Sequence, residues 1–128
     1  MNEAGRPEEF FAGNATALAA YERVRGILRE AGPLEVRTTK SQVAFRRRRG
    51  FAFLWMPRQY LRGSVAAAVL SIASDHRIAS DRFKEVVQPA TGRWMHHLEV
   101  RDPDEIDDEV ATWLRDAARL AGAQITSK

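Results

Sequence analysis

The hydrophobic period of this chain changes twice, and nothing else in the sequence restricts its fold so much. Near the start, Leu18, Tyr21, Val24 and Leu28 recur at helical spacing and make one apolar stripe. From residue 41 onward the period drops to two. Ser41, Val43 and Phe45 alternate with Gln42, Ala44 and Arg46, the pattern of a strand with one apolar face. Near the end the helical period returns, with Ile106, Val110, Trp113, Leu114, Ala117 and Leu120 on one stripe. Strands enclosed between terminal helices indicate an α+β domain and not a parallel α/β sheet. The expected architecture is an antiparallel sheet of about four to five strands packed by N-terminal and C-terminal helices.

The punctuation supports those limits. Residues 7–12 form a short helical turn that presents Phe10 and Phe11 to the core, and Gly13 ends it. Asn14 is suited to cap the next helix, because its side-chain oxygen can accept from a first-turn amide. Gly32 followed by Pro33 stops that helix. Residues 51–56 are apolar on both faces, as in a buried central strand, and Pro57 closes the run. Residues 65–73 hold Val, Ile and Leu, which favour a strand, together with alanines that tolerate a helix. Gly63 before them and Asp75-His76 after them favour the strand. Residues 81–87 form a short helix or an irregular crossover. Residues 93–101 form a further strand, with Trp94, His96, Leu98 and Val100 on one face and Met95, His97, Glu99 and Arg101 on the other. Asp102, Pro103 and Glu105 then resemble a cap, first-turn proline and capping box for the last helix.

The 128 residues suit a single domain over 1–128, and the 45% of hydrophobic residues supplies a core for it. There is no cysteine, which excludes disulfides, thiolate chemistry and cysteine-ligated zinc. The opening MNEAGRPEEFF lacks a positive segment followed by an apolar run, and no apolar stretch is long enough to span a bilayer. A cytoplasmic protein without a membrane partner is the expectation. Net charge is +3, and 17 of the 20 basic residues are arginine, the lysines being Lys40, Lys84 and Lys128.

Three parts of the sequence resemble a known family: the hairpin stretch TKSQVAFRRRRGFAFLW, the later HHLEV, and the closing DEIDDEVATWLRDA. Together they are similar to the uncharacterised prokaryotic family numbered 5655 among the domains of unknown function. The likeness covers about residues 8–121 and extends distantly to a wider group of small α+β domains. It implies the fold and supplies no catalytic residue. Members occur fused to nuclease-like domains, which implies a link to DNA handling.

Arg46, Arg47, Arg48 and Arg49 occupy an expected hairpin, with Arg58 and Arg62 after the next strand. Guanidinium groups favour phosphate, so this set is the first candidate site, for nucleic acid or another polyanion. Phe45, Phe51, Phe53 and Trp55 lie near enough in sequence to stack bases, or else belong to the core. A second candidate is a small-molecule pocket on the sheet, with Lys40, Trp55, Trp94 and His96 at its mouth. A third reading is a homodimer, in which the basic hairpin meets the acidic start of the last helix in a second copy. His96 and His97 point to opposite faces and cannot share one metal, and no HxH or HxxxH spacing is present. No nucleophile elbow, Walker loop or dinucleotide fingerprint appears, so neither catalysis nor a cofactor is expected.

Overall fold

The computed structural model describes residues 5–57 and 66–122. Helix α1 spans Pro7–Phe10 and helix α2 spans Ala15–Ala31. Six strands follow: β1 Glu35–Thr38, β2 Val43–Arg46, β3 Gly50–Trp55, β4 Ala68–Ser74, β5 Glu85–Ala90 and β6 Arg93–Val100. Helix α3, Asp108–Gly122, closes the described chain. All strand pairs are antiparallel, in the order β1-β2-β3-β4-β6-β5, so the fold is α+β.

The register sorts the side chains into two faces. Val43 pairs with Leu54, Leu54 with Leu70, and Leu70 with Leu98, a row of aliphatic side chains under α2 and α3. These residues join Tyr21, Val24 and Leu28 of α2 and Val110, Leu114 and Ala118 of α3 in one core. The next row over, Ala44, Phe53, Ser71 and His97, lies on the face away from the helices.

A bulge modifies β3. Phe45 pairs with Ala52 but Arg46 pairs with Gly50, which leaves Phe51 as an extra residue. Both Phe51 and Ala52 are buried in the core, while Phe53 and Trp55 are half-buried on the other face. The apolar run on β3 therefore serves the core and a second, partly open surface.

The strand count is six, not four to five. The two added strands, β1 and β5, are the sheet edges. Thr38 ends β1, and Thr39 belongs to the turn into β2, where its amide donates to the Gln42 carbonyl. Residues 81–87 are not a helix, since Glu85 onward pairs with β6. The acidic start of the last helix also differs. Residues Pro103–Glu105 form a separate 3-10 turn capped by Asp102, and Ile106 is buried outside the helix. The cap of α3 is Asp107, whose Oδ1 accepts from the Val110 amide at 3.2 Å. Glu105 accepts from the Arg101 amide at 2.8 Å instead of closing a box on Asp102.

Candidate functional site: the arginine hairpin and the open sheet face

The four hairpin arginines go to different places. Arg47 is tied into the fold. Its Nε donates to the Pro33 carbonyl at 2.9 Å, Nη2 to Ala31 at 3.1 Å and Nη1 to Ala118 at 3.2 Å. One guanidinium thus satisfies carbonyls at the ends of both long helices, where a cation also suits the negative dipole end. Two glycines make room for it. A Cβ on Gly32 would lie 2.7 Å from Arg47 Nη2, and one on Gly122 would lie 3.0 Å from its Cδ. Gly32 is also at φ 141°, in the region that favours glycine.

Arg46 belongs to the open face. Its guanidinium and the tip of the Phe53 ring both lie over Gly50, 3.6 Å and 2.9 Å from where a Cβ would stand. Arg46 Nε is 3.4 Å from Glu35 Oε1, an ion-pair distance without hydrogen-bond geometry, and it is buried without an acceptor. Arg48 is exposed, and its amide donates to the Ala121 carbonyl at 3.3 Å. Arg49 is exposed and lines a hollow at the end of the sheet. Arg58 and Arg62 lie outside the described residues.

The open face centres on a shallow concavity of about 330 Å³, lined by Gln42, Phe53, Trp55, Ser71, Met95 and His97. A hydrogen-bonded chain orders its middle. The Trp55 indole N–H donates to Ser71 Oγ at 3.0 Å, and that oxygen lies 2.7 Å from His97 Nδ1. The indole can only donate, so the hydroxyl accepts from Trp55 and keeps a proton and a second lone pair to offer His97 Nδ1. The Trp55 and His97 rings meet edge to face, with centroids 6.3 Å apart. Phe53, Trp55 and His97 are all half-buried, so each keeps surface for a ligand.

The four residues expected at a pocket mouth are not brought together. Lys40 is exposed in the β1–β2 turn and Trp55 is on the open face. Trp94 and His96 lie on the helix-covered face, where Arg77 sits over the Trp94 ring at 6.0 Å. His96 is fully buried and satisfied on both nitrogens: Nδ1 donates to the Ile72 carbonyl at 3.1 Å, and Nε2 accepts from the Ile78 amide at 3.0 Å. Burial holds its pKa below the usual histidine value, despite the opposing bond to Ile72. Phe83 covers it at 4.9 Å between ring centroids.

Two serine–histidine contacts invite a test as catalytic relays. His76 Nδ1 is 2.8 Å from Asp75 Oδ1 and 3.2 Å from Ser74 Oγ. Acid and hydroxyl compete for the same nitrogen, whereas a relay needs them on opposite ring nitrogens. Ser71 is 3% exposed, its hydroxyl is shared with Trp55, and no carboxylate among the described residues bonds to His97. Neither set is a nucleophile–base–acid relay. No group of three or more His, Cys, Asp or Glu among the described residues could hold a metal ion. Among those residues, no helix is long and apolar enough to cross a membrane.

The arginine hairpin, the late histidine strand and the amphipathic closing helix define a small α+β domain with one sheet face left uncovered among the described residues. The family model described as Domain of unknown function (DUF5655) matches residues 8–121, nearly the whole chain, and the chain belongs to that family. Comparisons with curated proteins and with solved structures return no match.

Sequence reasoning grouped the hairpin arginines by adjacency, and adjacency carries no information about where each guanidinium goes. It missed Ser71, which sits inside a run of Val, Leu, Ile and Ala. The signal was present: a serine in a buried strand must find a partner, and it falls opposite His97 in the β4–β6 register.

Proposed function

We propose that this domain is a binding module for single-stranded nucleic acid, with bases on the open sheet face and phosphates against the arginine hairpin. The observation that carries the reading is the meeting of Arg46 and Phe53 over Gly50, which makes the hairpin and the aromatic face one continuous surface. Phe53, Trp55 and His97 offer rings for stacking, and base–aromatic stacking contributes roughly 1–3 kcal/mol per base. Arg46 lies at the rim of that surface and Arg48 is exposed at the hairpin tip, where each can meet a phosphate. A single strand fits better than a duplex, because half-buried rings on a shallow face can reach only unpaired bases.

Fluorescence anisotropy with short labelled single-stranded and duplex DNA and RNA, at about 50 and 200 mM salt, tests the reading. Single strands should bind, and log Kd should rise with log salt by roughly 0.7 for each phosphate contacted. Arg46→Gln with Arg48→Glu should lower that slope, and Trp55→Ala should weaken binding without changing it. Arg47 is left intact in these variants because its guanidinium holds the helix ends. No binding at low salt, or binding indifferent to salt and to the arginines, defeats the proposal. The second outcome would favour an uncharged small ligand on the same face.

A further inference from the structure

A second hollow lies at the end of the sheet and shares no lining residue with the concavity around Trp55. β3 begins, β4 ends, β5 ends and β6 begins at the same edge of the fold, and the last turns of α3 pass over them. They enclose about 270 Å³. Phe51, Ala117 and Leu120 give it an apolar wall. Arg49 and Arg93 stand at its polar side, and neither side chain makes a hydrogen bond or ion pair among the described residues. Its carboxylate, Asp75, is held by His76 Nδ1 at 2.8 Å.

We propose that this hollow is a binding site for a small organic acid: a carboxylate on a compact apolar body. Two unpaired guanidiniums beside an apolar wall match that chemistry. Guanidinium is planar and takes a carboxylate through paired N–H donors, while the wall removes the apolar body from water. The hollow has none of the rings of the Trp55 concavity in its lining, so the site does not rest on the nucleic-acid reading. Gly92, at φ 73°, turns the β5–β6 hairpin that presents Arg93, and a Cβ there would meet nothing within 4 Å. The glycine is therefore set by the turn and not by crowding.

Benzoate is the probe, with benzamide as its uncharged counterpart of nearly the same shape. In a titration followed by 1H–15N spectra of the whole chain, benzoate should shift the amides of Gly50, Ser74, Gly92 and Arg93 with a Kd of roughly 1 mM. Benzamide should bind at least about tenfold more weakly. Arg49→Gln with Arg93→Gln should abolish the shifts, and Arg49→Lys with Arg93→Lys should restore part of the affinity. Both pairs should fold, since neither arginine side chain makes a hydrogen bond or ion pair among the described residues. The Trp55 indole signal should stay in place throughout. Absence of shifts at roughly 10 mM benzoate, equal response to benzamide, or undiminished binding by the glutamine pair overturns the site. None of those results bears on whether oligonucleotides bind the surface around Trp55.

Discussion

Arg47 and His96 show how much a single side chain can commit to a fold. Arg47 donates to Ala31, Pro33 and Ala118, so one residue of the hairpin joins the ends of α2 and α3. Truncating it leaves carbonyls without their donor. Arg47→Ala is expected to lower unfolding stability by about 1–3 kcal/mol, read as a lower urea midpoint, whereas Arg48→Ala should change it by less than about 0.5 kcal/mol. Equal effects of the two substitutions would contradict the clamp. His96 gives stability a pH dependence with a fixed sign. Its folded pKa lies below 6.5, so between those values the unfolded chain takes up a proton that the folded chain refuses. Stability from this residue is complete above about pH 6.5 and falls as pH drops towards the folded value, by at most about 1.4 kcal/mol per pH unit. A His76→Gln, His97→Gln double variant should keep that slope. Its disappearance in the double variant would move the effect away from His96.

At the scale of elements, the connection between β4 and β5 is held by Arg82. Its Nη1 binds Asp107 at 3.1 Å and Glu109 at 2.7 Å, and Nη2 donates to the Glu105 carbonyl at 2.9 Å. Partial burial opposes the charge on Asp107, but the Val110 amide and Arg82 outweigh it and hold that carboxyl below its usual range. The bonds fasten the segment carrying Ile78 and Phe83 over His96, with Phe83 also against Trp113 at 4.7 Å. Arg82→Ala should cost roughly 1–2 kcal/mol and speed hydrogen exchange at the Ile78 amide more than at the β3–β4 pairs. Uniform acceleration across the sheet would mean that the segment is not separately fastened.

The same elements mark what was legible in the sequence. The long helices, β2 and β6 follow from their periods, and β3 and β4 from apolar runs bounded by turn residues, because each buries a face and must write it in apolar residues. β1 and β5 are edge strands, mostly exposed, and EVRT and EVVQPA carry little of that signal. The tie between Arg47 and two helix ends was not legible, since its partners are backbone carbonyls and carbonyls have no sequence. Opposite placement of His96 and His97 was legible from alternation alone. The joining of Arg46 to Phe53 was not, because it depends on the bulge that makes Phe51 an extra residue.

For the whole molecule, the helices cover one face of the sheet and leave the other with a ring-lined concavity bordered by Arg46. Gly50 is where these parts touch. Gly50→Ala would set a methyl 2.9 Å from the Phe53 ring tip, so the ring must move. The substitution should weaken oligonucleotide binding more than it lowers the urea midpoint. A loss of stability with unchanged binding would detach Phe53 from the surface. The account is tested most directly by the three indole N–H signals of Trp55, Trp94 and Trp113 in 1H–15N spectra during titration with a short single-stranded oligonucleotide. A shift of the Trp55 signal, with those of Trp94 and Trp113 left in place, is the predicted result. Movement of Trp94 or Trp113 alone, or of none of the three at saturating oligonucleotide, would contradict it.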